Sequence, residues 1–331
     1  MTNIRSMAAW RTALQAVLLA GLTAAAGLAA AAYPERAIRL IVPYPPGGAG
    51  DVMARGLAQE LGNELQQQVI VDNRGGAGGG IAAEAVAKAT ADGYTLLFGS
   101  MGTHAINPAL YAKLNYDPIA DFTPIGMTHK TPRVLVVNAQ AVPAKSIAEL
   151  IALAKENPGK LTYGSAGSGS SGHLSGALFA SKAGVDMLHV PYRGSAQLLT
   201  DMLAGRVDLT FDSYTVYADH IKNGTVRALG VTSAERMDVL PDVPAIAEAG
   251  LDGYDVSNWL GVFAPAGLPD DVRDTLGKAV AKAMTKPELR AQLSAIGIMP
   301  VSSSPAEFAE VVKADIPRWA EIVKESGATV Q

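Results

Sequence analysis

Apolar residues along the chain fall into short strand-like and helix-like stretches with little between them. Ile38, Leu40, Ile41 and Val42 form an apolar run of strand length. Met53, Leu57, Leu61 and Leu65 then recur at helical spacing, which predicts a helix over 51–65. Residues 69–71 and 94–98 read as two further strands. Between them lie a glycine-rich turn at 74–80 and a helix at 81–90, and Asp92-Gly93 marks the turn before the third strand. This βαβαβ order predicts a parallel sheet with right-handed crossovers. Residues 100–130, with Asn107-Pro108 and Asp117-Pro118, are less regular.

A second α/β unit follows. Residues 134–137, 161–164, 187–190, 207–211 and 226–231 read as strands, with helices starting near Ser146, Ser170, Ala196 and Val216. Ser146 with Glu149 forms a capping box. Residues 257–264, with Trp259 and Phe263, read as an extended crossing segment ahead of helices at 269–285 and 288–296. The last helix opens Ser304-Pro305-Ala306-Glu307, with an N-cap serine, proline at its first position and glutamate at the third. These helices have no sheet of their own and are expected to pack back on the first unit. The expected organisation is therefore a discontinuous first domain, 33–131 plus 252–331, and a second domain, 132–251, joined by two hinge segments. Each domain is expected to be a mostly parallel sheet flanked by helices.

Composition narrows the setting. The chain starts with Arg5 and Arg11, continues uncharged from Thr12 to Ala32 and ends that run in small residues, as a signal peptide does. A membrane anchor is the competing reading, but the alanine and glycine content makes the run weakly hydrophobic. Cleavage is expected near Ala30 or Ala32, leaving 25 basic against 31 acidic groups, a charge of −6. No clustered cations suggest a nucleic-acid partner. The absence of cysteine excludes disulfides, thiolate metal sites and cysteine catalysis, and with export it points to a bacterial periplasm.

Two glycine-rich turns carry the candidate chemistry. In the first, residues 41–51, the strand enters Tyr44-Pro45-Pro46-Gly47-Gly48-Ala49-Gly50, and a helix starts at Asp51. The prolines cannot continue a ladder, the glycines admit a close ligand, and the helix start offers free N–H groups to an anion. The second runs Gly164-Ser165-Ala166-Gly167-Ser168-Gly169-Ser170 between strand and helix and offers serine hydroxyls as well. Either could equally be an ordinary strand-to-helix turn. Gly167, Gly169 and Gly172 satisfy the dinucleotide spacing, but Asp186 lies before the next strand rather than at its end. No nucleophile elbow occurs, and Ser170 with His173 is more simply a helix cap than a catalytic pair. His104, His129, His189 and His220 lack metal-ligand spacing, so neither metal nor cofactor is expected. Asp212 ends an apolar strand at the edge where open α/β sheets bind ligands; it either caps the next turn or accepts a hydrogen bond from the ligand.

Tyr33-Pro34-Glu35-Arg36, residues 41–51, Asp72-Asn73-Arg74, residues 92–97 and Asn107-Pro108-Ala109-Leu110-Tyr111 form an ordered series of motifs. It continues through residues 163–174, His189-Val190-Pro191-Tyr192-Arg193-Gly194, Pro241-Asp242-Val243-Pro244 and residues 259–267. Over the whole exported chain the series resembles Bug-type solute receptors of tripartite tricarboxylate transporters. The resemblance implies a monomeric, non-enzymatic periplasmic binding protein of type II, closing two α/β domains on a small carboxylate. Di- and tricarboxylates, acidic amino acids and aromatic acids are the ligand classes it implies, and membrane permease subunits are the implied partners. It places Tyr44, Pro45, Pro46, Gly47, Gly48, Asp51 and Ser100 on the first wall, and Ser165, Ala166, Gly167, Ser168, Gly169, Ser170 and Asp212 on the second. An exported hydrolase using Ser168 or Ser170, and a receptor coupled to a sensor, are the alternatives. Two departures stand out: Gln197 replaces a frequent proline, and residues 129–133 are unusually basic.

Overall fold

The computed structural model describes residues 33–326, so the expected export segment lies outside the described residues. The first sheet is built from β1 (Ile38–Val42), β2 (Val69–Asn73), β3 (Thr95–Ser100), β4 (Phe122–Thr131), β10 (Asn258–Pro265) and β11 (Met299–Pro300). The second is built from β5 (Val134–Asn138), β6 (Thr162–Ser165), β7 (Leu188–Pro191), β8 (Leu209–Asp212) and β9 (Val226–Val231). Helices α1 (Ala49–Leu65), α2 (Gly80–Ala87), α3 (Asn107–Leu110), α8 (Asp270–Ala283) and α9 (Pro287–Ala295) belong to the first unit. Helices α4 (Ile147–Glu156), α5 (Ser171–Ala183), α6 (Ser195–Leu203) and α7 (Tyr214–Lys222) belong to the second. The last helix, α10 (Pro305–Ser326), packs on β4 and also on α5, so it touches both units.

Both sheets are mixed, with strand orders β11-β4-β10-β3-β1-β2 and β7-β6-β8-β5-β9. The parallel pairing expected from the βαβ order holds for β2-β1-β3 and β7-β6-β8. It fails for the rest: β10 runs antiparallel to β3 and β4, and β5 runs antiparallel to β8 and β9. The physical reason is connectivity, because these strands carry the chain between units rather than closing a helical crossover within one.

Strands β3, β5 and β10 are buried on both faces, as covered strands must be. Leu40, Leu96, Phe98 and Val262 join α1 residues Met53, Leu57 and Leu61 in one core cluster, while Ile41, Leu97 and Phe263 meet Phe308 and Trp319 of α10 in another. Each such side chain fully buried contributes about 1.5–3 kcal/mol. Ser304 caps α10 as a reciprocal pair: its Oγ accepts from Glu307 N at 3.2 Å, and its own N–H donates to Glu307 Oε2 at 2.8 Å. At Ser146 the glutamate instead accepts from Lys145 N, one residue earlier.

Strand β4 lies within the stretch that the sequence pattern leaves irregular, because Pro124 and Gly126 interrupt its alternation. Its ladder with β10 absorbs them through register shifts at Leu260/Gly261 and Val262/Phe263. Continuing from β4, the chain crosses to β5 through Pro132 and Arg133. It returns from β9 along a segment whose Val256 N–H still donates to Thr232 O, entering β10 at Asn258.

Candidate functional site

Strand β1 ends in the first turn, and its geometry is fixed from within. Asp51, buried to 3% exposure in the first turn of α1, accepts from Gly47 N (2.9 Å), Arg55 Nε (2.8 Å) and Asn73 Nδ2 (2.9 Å). Asn73 Nδ2 also donates to Tyr44 O at 2.9 Å. Arg55 and the Gly47 amide hold the Asp51 carboxyl at about 2, so it is ionised and saturated with donors. Asp51 was expected to meet the ligand. The structure makes it instead the anion that this helix start already holds.

The glycine at position 50 has a similarly internal reason. A Cβ there would come within 2.3 Å of the Tyr44 ring, so the missing side chain lets that ring lie across the start of α1. Burial raises the Tyr44 phenol above its ordinary pKa, against opposing pulls from Ser100 and Arg133.

The second turn is held by two stacked histidines. Ser165 Oγ lies 2.7 Å from His189 Nε2 and 2.9 Å from the Gly167 carbonyl, and Gly169 N donates to His173 Nδ1 at 3.1 Å. Ser170 caps α5 by accepting from His173 N at 3.3 Å. Positive φ angles at Gly167 (138°) and Gly169 (75°) fold the turn over this support. Beyond it, the first amides of α5 have no acceptor within their helix and carry its positive dipole end. Burial, and the neighbouring His173, depress His189 to about 4, so both rings are neutral at pH 7.

Between the turns lies a cavity of about 490 Å3. The first unit contributes Tyr44, Ser100, Asn107, Tyr111 and the 76–79 glycine turn; the second contributes residues 166–171; Asn258 comes from the return strand. Of the expected site residues, Tyr44, Ser100, Ala166, Gly167, Ser168, Gly169 and Ser170 line it. Pro45, Pro46, Gly47, Gly48, Asp51, Ser165 and Asp212 do not. Pro45, Pro46 and Gly47 face solvent, Asp51 braces its own turn, and Ser165 is buried behind the second turn. Asp212 caps locally: its Oδ1 accepts from Ser213 N at 2.7 Å, while Oδ2 is buried without a partner.

Sequence reasoning missed Asn107, Tyr111, Ser171, Asn258 and the 76–79 turn as lining residues. Asn107 and Tyr111 stood in a recognised motif without an assigned role. Asn107 Nδ2 donates to Gly78 O at 3.1 Å, which clips the glycine turn to the cavity wall. Asn258 gave no local signal, since its place depends on β10 lying between β3 and β4.

Two α/β units with a cavity between their loop ends define a cleft-type binding protein. The chain belongs to the family described as "Tripartite tricarboxylate transporter family receptor", whose model matches residues 53–328. It is 43% identical over 295 residues to the UPF0065 protein in the tcbD-tcbE intergenic region of Pseudomonas sp. strain P51, covering 89% of this chain and 87% of that protein. It is 36% identical over 308 residues to the protein BugT of Bordetella pertussis, covering 93% of this chain and 94% of that one. Among solved structures, R. palustris Rpa4515 with adipate is similar at a TM-score of 0.74 and 39% identity, covering 90% of this chain and all of that one.

Proposed function

We propose that this protein is a periplasmic receptor that captures a small carboxylate between its two units and presents it to a tripartite tricarboxylate-type permease. The observation that carries this reading is the shared cavity, walled by Tyr44 and Ser100 on one side and by the 166–171 turn with the α5 amides on the other. Backbone N–H groups at a helix start hold an anion without a dedicated cation. The adipate seen in the R. palustris relative supports a carboxylate as ligand.

The two units act as domains of about 33–131 plus 252–331 and 132–251, hinged where the chain crosses near Pro132 and again before Asn258. Closure about those crossings traps the ligand and forms the surface the permease reads, with the receptor acting as a monomer.

Two features support binding without turnover. Among the described residues, Ser168 and Ser170 have no base within hydrogen-bond reach, since the Ser170 hydroxyl accepts from the His173 amide rather than its ring. Ser165, which is paired to the His189 imidazole, is 1% exposed and behind the turn. A thermal-shift series across di- and tricarboxylates, acidic amino acids, aromatic acids, neutral sugars and peptides tests the reading. Stabilisation by acids alone is expected. Stabilisation by a neutral solute with no acid effective would overturn it.

A further inference from the structure

Arg133 stands at the crossing from β4 to β5, and its guanidinium is held in an unusual way. Both Nε (2.9 Å) and Nη2 (2.7 Å) donate to one neutral acceptor, Ser171 Oγ. Arg55, Arg74, Arg206 and Arg318 each pair with an aspartate, whereas Arg133 has no carboxylate within ion-pair distance among the described residues. Its remaining guanidinium N–H groups have no protein partner there. Burial works against its charge, with Asp212 and Tyr44 only partly offsetting it. A half-buried cation without a counter-ion is a standing cost that an anion would relieve.

Its location shows where that anion enters. Ser171 lines the 490 Å3 cavity, while Arg133 lines a neighbouring cavity of about 190 Å3. Tyr44 and Asn258 wall both, so the two spaces adjoin across this pair. The smaller space is also lined by Ala49 and Gly50 at the start of α1 and by Ser213 and Thr215 at the start of α7. It far exceeds the roughly 30 Å3 share of one water and admits a carboxylate with attached methylenes.

We propose that the smaller cavity is a second acid subsite, in which Arg133 binds the distal anionic group of a ligand whose first carboxylate lies against the 166–171 turn. The ligand is then a diacid, and Arg133 sets the preference for it over the monoacid of equal length. A guanidinium fork suits a carboxylate because two parallel N–H groups match its two oxygens. The basic stretch 129–133 is thereby divided in role: His129 is fully buried, and Arg133 brings a cation to the smaller cavity beside Thr131 and Pro132.

The inference rests on the carboxylate-receptor reading, and its test separates the two. Isothermal titration compares straight-chain diacids of four to eight carbons with their monoacids on wild type, Arg133→Gln and Arg133→Lys. Glutamine keeps a donor for Ser171 and removes the charge; lysine keeps the charge and loses the fork. Wild type is expected to favour its best diacid over the matching monoacid by about tenfold to a hundredfold, the range of a charge-assisted pair. R133Q is expected to lose that ratio while retaining monoacid affinity, and R133K to keep part of it. Should R133Q fail to fold, by melting curve, R133K and the wild-type ratio decide. Equal affinity for both acid series on wild type, or equal loss of both in R133Q, overturns the subsite and leaves the receptor reading intact. No binding by any acid of either series overturns both.

Discussion

His173 and His189 stack with ring centroids 3.8 Å apart and planes 9° from parallel, directly beneath the turn that faces the ligand cavity. Each ring nitrogen in use serves the turn: His173 Nδ1 accepts from Gly169 N, and His189 Nε2 meets Ser165 Oγ. Protonation would remove the first acceptor and set two cations face to face. His189 is depressed to about 4, and the buried His104 and His129 to about 3 by desolvation. Unfolded histidine titrates at about 6.5. Because the folded values are lower, the unfolded chain takes up protons first as pH falls. The stabilisation is complete above about pH 6.5 and is lost towards pH 4 and below. Melting temperatures should therefore hold from pH 7.5 to about 6.5 and fall from there towards pH 4. His173→Asn, whose Oδ1 can still accept from Gly169, should flatten part of that slope and leave the part due to His104 and His129.

Asp51 tests how far the first turn is self-supporting. Asp51→Ala leaves Gly47 N, Arg55 and Asn73 without their acceptor; Gly47 and Arg55 are exposed and can turn to water, so the expected cost is about 1–3 kcal/mol in total. Chemical denaturation should show a loss of that order. Its folded carboxyl is held at about 2, against about 3.9 unfolded, so its contribution is present above pH 3.9 and disappears as pH falls through 2. The ligand affinity of the residual folded fraction should fall too, because the turn carries Tyr44.

Gly50→Ala sets two effects against each other. Alanine gains about 1 kcal/mol in helix propensity over glycine. The new methyl meets the Tyr44 ring at 2.3 Å, and overpacking of that kind costs about 1–3 kcal/mol. Stability should change little or fall modestly, while ligand affinity should drop at least tenfold as the ring leaves the wall shared by the two cavities.

The serines of the second turn should behave unlike catalytic nucleophiles. Ser168 is exposed, and on the proposed reading the backbone amides hold the carboxylate, so Ser168→Ala should alter affinity by less than about threefold. Ser170→Ala removes the α5 cap and should cost about 1 kcal/mol of stability. Ester hydrolysis by either variant or by wild type, above the buffer rate, would contradict a purely binding role.

Much of this was readable from the chain because the signals were local. The bounds of β1 and β9, the Ser304 capping box and both glycine-rich turns follow from neighbouring residues. What stayed hidden depends on distant partners. Strand β4 contains Pro124 and Gly126 and becomes a strand only against β10, more than a hundred residues away. Asn258 and Arg133 reach the ligand space through that same sheet order. In the first turn, the absence of a side chain at Gly50 makes room for the Tyr44 ring, and the Asp51 carboxylate is taken up by Gly47, Arg55 and Asn73, contacts that the turn's sequence does not announce.

On the proposed reading, the cavity between the two units recognises negative charge through the 166–171 turn. Titration calorimetry of the folded wild-type protein with adipate and with 1,6-hexanediol, at neutral pH, separates charge from shape over one carbon skeleton. Saturable binding of adipate with no measurable binding of the diol is the predicted result. Equal binding of the two, or binding of the diol alone, would contradict the account.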